Sequence, residues 1–126
     1  MVITEKLDTV VQLIRLAAQT ESTVPFSALY GCFAKNTPRS DMHDTLEEAC
    51  NQLAHWNDAI YSAVMAKKDT GCPGSGFFDT FSIHRNAEYE AIAPNIPHVT
   101  RLTDLQQQAI TQLERARVYQ HAALNA

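Results

Sequence analysis

The sequence predicts a mostly helical α+β domain: three helices, then a β-hairpin, then a long C-terminal helix. Three observations carry this expectation. Apolar residues recur at three- and four-residue steps over residues 4–19, 40–56 and 103–123, the period of a helix buried on one side. The stretches IYSAVMA at 60–66 and FFDTFSI at 77–83 are instead rich in β-branched and aromatic residues and roughly alternate, which is strand character. Three of the four glycines lie between them, within residues 71–76, where a tight connection needs backbone freedom.

The first helix spans residues 4–19, with Leu7, Val10, Val11, Ile14 and Ala17 or Ala18 on its inner stripe. Thr4 suits its N-cap, and Glu5 and Asp8 complement the positive end of the helix dipole. Pro25 suits the first turn of a short second helix with Phe26, Leu29, Tyr30 and Phe33 on its apolar face. Asn36, Thr37 and Pro38 then break the chain. Ser40 is a good N-cap for the third helix, which runs to about Trp56 over an inner stripe of Met42, Leu46, Ala49, Cys50 and Leu53. Asn57 and Asp58 supply its stop. After the hairpin, residues 86–100 carry Pro94 and Pro97 and read as a connector with one helical turn near Ala87–Ile92. Thr103 and Gln106 form a capping box for the last helix. Its stripe of Leu102, Leu105, Ala109, Leu113 and Ala116, with Ile110 and Val118 alongside, is narrow. Docking on the body and pairing with a second copy both remain open. The division is therefore residues 1–100 as the α+β unit and 101–126 as a helix that docks or dimerises.

Helix, short helix, helix, hairpin is the order of a winged-helix domain, in which the third helix reads the major groove and the hairpin is the wing. The hairpin also carries a resemblance. Val64, Lys68, Thr70, Gly71, Pro73, Gly74, Gly76 and Phe77, within Ala59–Phe78, resemble the K-x-T-G-x-P-G-x-G-F hairpin of small prokaryotic winged-helix-like domains. The likeness covers about twenty residues of the chain. Such domains stand alone or act as accessory parts of mobile-element or restriction-type proteins. The resemblance implies a binding role and brings no catalytic residue with it.

At 126 residues, with 45% hydrophobic and 19% charged, the chain has an ordinary globular balance that argues against wholesale disorder. Its net charge of -4 lowers the prior for a protein held to nucleic acid by phosphate contacts. Cys32, Cys50 and Cys72 are odd in number and widely spaced, which fits no disulfide framework or zinc pattern. Cys32 and Cys50 read as buried small hydrophobes and Cys72 as exposed at the hairpin tip. Free thiols, an N-terminus without signal-peptide character and no apolar run near the roughly 18 residues that span a bilayer make a cytoplasmic protein without membrane contact the expectation.

No enzyme signature emerges. Ser75, Cys72 and His84 flank the turn without a nucleophile elbow. GCPGSG lacks the lysine and hydroxyl of a phosphate-binding loop, and His43 and His55 sit over three turns apart on one helix. No catalytic, cofactor or metal site is expected. Two binding sets remain. The hairpin set is Lys67, Lys68, Gly71, Pro73, Gly74, Gly76, Phe77 and Arg85, which offers a partner, protein or DNA, three cations around the tip. The acidic-helix set is Asp44, Glu47, Glu48, Asn51 and Gln52. No Lys or Arg occurs from Ser40 to Ala66, so this helix is ill suited to lie between phosphates. Two readings follow. One is a regulatory or accessory module that contacts DNA or protein through the hairpin. The other is a small acidic inhibitor or adaptor, of the kind with which a phage or mobile element counters a host nuclease, presenting helix 41–56 to a basic surface.

Overall fold

A computed structural model describes all 126 residues. Helix α1, Thr4–Gln19, turns Val10, Val11, Ile14, Ala17 and Ala18 into the core, as its period requires. Ile3, not Thr4, occupies the N-cap position and offers no side-chain cap. The Ile3 amide donates instead to Thr45 Oγ1 at 2.8 Å, which ties the start of α1 to the next long helix. Glu21 takes the left-handed conformation (φ 51°), and the Ser22 amide reaches back to the Ala17 carbonyl at 2.8 Å. That geometry satisfies the last turn's carbonyls and reverses the chain.

Strand β1 is only Val24–Pro25, and α2 is the short helix Phe26–Tyr30 that follows directly. Helix α3, Arg39–Leu53, starts one residue before the expected cap Ser40 and stops three short of Trp56. Thr45, Leu46 and Ala49 are its buried positions, and Met42, Cys50 and Leu53 are half-buried. It packs along α1. From Ala59 the chain runs through the interior. Ala59, Ile60, Tyr61, Ala63, Val64, Met65 and Ala66 are all buried, over a 3-10 turn at Tyr61–Val64 and strand β2, Met65–Ala66.

The expected hairpin is absent. β2 pairs in parallel with β1, Val24 opposite Met65 and Pro25 opposite Ala66, and residues 75–84 form helix α4, Ser75–His84. The reason is period. In a strand, Asp79 would share a face with Phe77 and Phe81. In a helix, Phe77, Phe78 and Phe81 fall on one side, and all three are buried while Ile83 stays 70% exposed. The β-preference of these residues loses to the burial of three aromatic rings. Without an antiparallel pair there is no wing. The Lys68–Phe77 motif instead makes a turn leading into α4. Lys67 and Cys72 close it (Lys67 N–H to Cys72 carbonyl, 2.9 Å; Gly71 N–H to Lys67 carbonyl, 2.8 Å), with Gly71 at φ +72°. Cys72, expected at an exposed tip, is buried.

Helix α5, Asn86–Ile92, and a 3-10 turn at Val99–Arg101 connect to α6, Asp104–Leu124. The Thr103–Gln106 capping box forms as expected. α6 packs on α1, α5 and the Tyr61–Val64 turn, but through Ile110, Thr111, Glu114, Val118 and Ala122. The expected stripe is split: Leu102, with Ile110 and Val118 alongside it, is buried, whereas Ala109 and Ala116 are exposed and Leu105 and Leu113 stand 78% and 39% exposed. A single core cluster gathers residues from α1, α3, α4 and α6 around the 59–65 segment.

Candidate functional site

A groove of about 1150 Å³ runs between α3 and the turn that opens α4. α3 supplies His43, Glu47, Cys50 and Asn51, and the turn supplies Lys67, Lys68 and Asp69. The first turn of α4, Gly74 to Phe77, forms one end of the wall. Phe26, Tyr30, Tyr61 and Met65 contribute to its apolar lining. The elements explain the arrangement. The buried 59–66 segment forms the floor, with residues of α3 and of the first turns of α4 lining the groove around it.

The groove unites the two sets that the sequence kept apart. Glu47 and Asn51 come from the acidic helix, and Lys67, Lys68, Pro73, Gly74, Gly76 and Phe77 from the glycine-rich set. The others lie elsewhere. Gly71 is held from outside the groove, its carbonyl accepting from Arg115 at 2.8 Å. Asp44 pairs with the Met1 amino group at 2.5 Å, beside Asp41 at 2.8 Å. Glu48 and Gln52 take no part in the groove lining.

Arg85 turns inward. Its guanidinium donates to both oxygens of Glu114, Nε at 3.1 Å and Nη2 at 3.1 Å, and to the Trp56 carbonyl at 2.9 Å. Glu114 is fully buried and also accepts from the Ile60 amide at 2.9 Å and from Arg117. Arg117 in turn makes a two-pronged pair with Glu88 at 2.9 and 3.1 Å. Burial alone pulls the Arg117 pKa down, but the hydrogen bonds and charges of Glu88 and Glu114 outweigh it and hold it above its ordinary value. Arg85 is therefore part of the frame that fixes the groove's floor, not a cation offered to a partner. Arg39, another cation near the groove, lies 4.2 Å above the Tyr30 ring.

Sequence reading missed the aromatic and histidine lining. Trp56 stacks on His84 with ring centres 3.6 Å apart and planes 19° apart, and His55 covers it at 4.4 Å. The Tyr30 hydroxyl meets His43 Nε2 at 3.0 Å. His84 lies 28 positions beyond Trp56 in the sequence, and only the α4 helix brings them together. No group of three or more His, Cys, Asp or Glu side chains is placed to hold a metal ion. Nor is any helix long and apolar enough to cross a membrane. The groove's charged lining balances, Lys67 and Lys68 against Glu47 and Asp69. The chain matches no protein-family model, no curated protein and no solved structure.

Proposed function

We propose that this protein is a non-enzymatic binding module that takes an extended segment of a protein partner into the groove between α3 and the 67–77 turn. The observation that carries the reading is the composition of that single groove: aromatic lining, with two lysines and two carboxylates on its rim. Aromatic anchors surrounded by polar groups are how a shallow site gains affinity for a peptide. A polyphosphate backbone would instead need an excess of cations. Glu47 and Asn51 on one wall and Lys67 and Lys68 on the other set the charge pattern of the bound segment.

The test is selection from a random peptide library, followed by fluorescence anisotropy. The expected peptides carry an aromatic or aliphatic anchor flanked by charges of both signs. Ser62→Trp, which fills the groove, and Glu47→Lys, which reverses one wall, should each weaken binding about tenfold or more, roughly 1.4 kcal/mol. The reading fails if no peptide is enriched or if both variants bind unchanged. Saturable binding of duplex DNA at about 50 mM salt, lost on replacing Lys67 and Lys68 by alanine, would move the site to nucleic acid.

A further inference from the structure

We infer that His43, His55 and His84 make the groove choose the charge of its bound segment by pH: acidic segments are favoured once the imidazoles are protonated, and segments of mixed charge above that range. The inference rests on the reading of the groove as a peptide site. Three of the five histidines line it. Its fixed charges cancel, Lys67 and Lys68 against Glu47 and Asp69. Imidazole is the side chain whose charge ordinarily changes between about pH 5 and 8, whereas carboxylates, lysines and phenols ordinarily change outside that range. Proton uptake by the three rings therefore takes the lining from balanced to cationic.

The hydrogen bonds separate the three rings. His43 meets the Tyr30 hydroxyl through Nε2 at 3.0 Å. That hydroxyl donates to the neutral ring and accepts from the protonated one, so the contact survives the change. His84 stacks on Trp56 with ring centres 3.6 Å apart, and a cation over an indole face is attracted to it. His43 is exposed and His84 half-buried, so water reaches both. His55 differs. Its Nδ1 accepts from the Asn57 amide at 3.1 Å, and a proton at Nδ1 ends that bond. His43 and His84 can thus take up a proton in place, and His55 only by releasing Asn57.

The other groups around the rings hold their charge over this range or stand apart from the lining. On α3, Glu47 lies one helical turn beyond His43 and belongs to the balanced four, while Asp44 is paired with the Met1 amino group. Arg39 is held over the Tyr30 ring at 4.2 Å. Asp58, whose amide donates to the His55 carbonyl at 2.9 Å, is not in the lining. Behind His84, Arg85 and Arg117 are matched by Glu114 and Glu88. Under the floor, His121 stands behind Tyr61, whose hydroxyl meets its Nδ1 at 2.7 Å. Cys50 and Tyr61 are both pushed up by burial and stay neutral.

One exposed ion pair changes affinity by at most about fivefold, so the rings together should change the choice between segments by about tenfold. The probes are two forms of the tightest-binding peptide from the library selection, identical at the anchor, with only aspartate or only lysine at the charged flanks. Anisotropy on the full chain should show the aspartate form gaining on the lysine form about tenfold between about pH 7.5 and 5.5. In the double variant His43→Gln, His84→Gln the gain should fall below about threefold. A wild-type gain under about threefold overturns the inference. So does a variant as responsive as the wild type, which would assign the effect to Glu47 and Asp69. Calorimetry of the wild type in two buffers of different ionisation enthalpy needs no variant. At about pH 6.5 the aspartate form should bind with net proton uptake, and binding without uptake overturns the inference. Peptides that bind with a pH-independent preference sink this inference alone; binding of no peptide at any pH sinks the reading of the groove with it.

Discussion

Glu114 is a carboxylate with no exposure to solvent, stable there because two arginines and the Ile60 amide meet its oxygens. Removing one side of such a group strands the other. Glu114→Gln should therefore cost about 3–5 kcal/mol, read as a fall in the urea midpoint. A loss below about 1 kcal/mol would mean that Arg85 and Arg117 find water instead. The glycines separate in the same way. Gly71 sits at φ +72°, and Gly71→Ala should destabilise by about 1 kcal/mol. Gly76 lies in the first turn of α4 with open space where a Cβ would stand. Gly76→Ala should stabilise by up to about 1 kcal/mol. Thermal melts of the pair give opposite signs only if the turn and the helix start are placed as described.

Cys50 gives a pH dependence. Burial, with Glu47 adding, pushes its thiol up to about 12 from an ordinary value of 9.0. A raised folded-state pKa means that the unfolded chain ionises first. The stabilisation is complete below about pH 9 and is lost as pH climbs toward 12. The stability advantage of the wild type over Cys50→Ala should therefore shrink between about pH 8.5 and 10.5. The tyrosines raised by burial, Tyr61, Tyr89 and Tyr119, are common to both proteins and cancel in the comparison. A constant difference across that range would rule out a desolvated thiol.

The decisive element is α4. In a strand, Ile83 would share the face of Phe77 and Phe81, and its replacement by lysine would be severe. In the helix it is exposed, so Ile83→Lys should change stability by less than about 0.5 kcal/mol. Phe78→Ala, at a 4% exposed position, should cost about 3–5 kcal/mol. Equilibrium denaturation of the two variants distinguishes the folds. The turn before α4 depends on α6, since Arg115 gathers the carbonyls of Ala63, Met65 and Gly71. Arg115→Met should speed amide exchange at Lys67 and Gly71 while leaving α1 protected.

At the scale of the whole molecule the groove is the surface that α3, the 59–66 segment and the start of α4 build together. Trp56, the only tryptophan, stands in the groove lining and not on α6. Peptide binding should shift its emission by disturbing the stack on His84, whereas raising the protein concentration alone should not. An emission unchanged by a peptide that binds would place that peptide outside the groove.

Local signals settled what depends on near neighbours: the stripe of α1, the approximate span of α3, the break at Asn36–Pro38 and the Thr103–Gln106 cap. Each is a matter of period or of a hydrogen bond over a few residues. Tertiary packing decided the rest. FFDTFSI has strand-like composition, and only burial of Phe77, Phe78 and Phe81 in one core makes it a helix. On α6, Leu105 and Leu113 of the expected stripe were set outward because the side that carries Glu114 turned in, and its counter-charge comes from Arg85, 29 positions away. The same long-range closure carried Glu47 and Lys67 to one groove. A sequence shows which residues carry charge, but only the folded chain shows which charges neutralise one another and so can be buried.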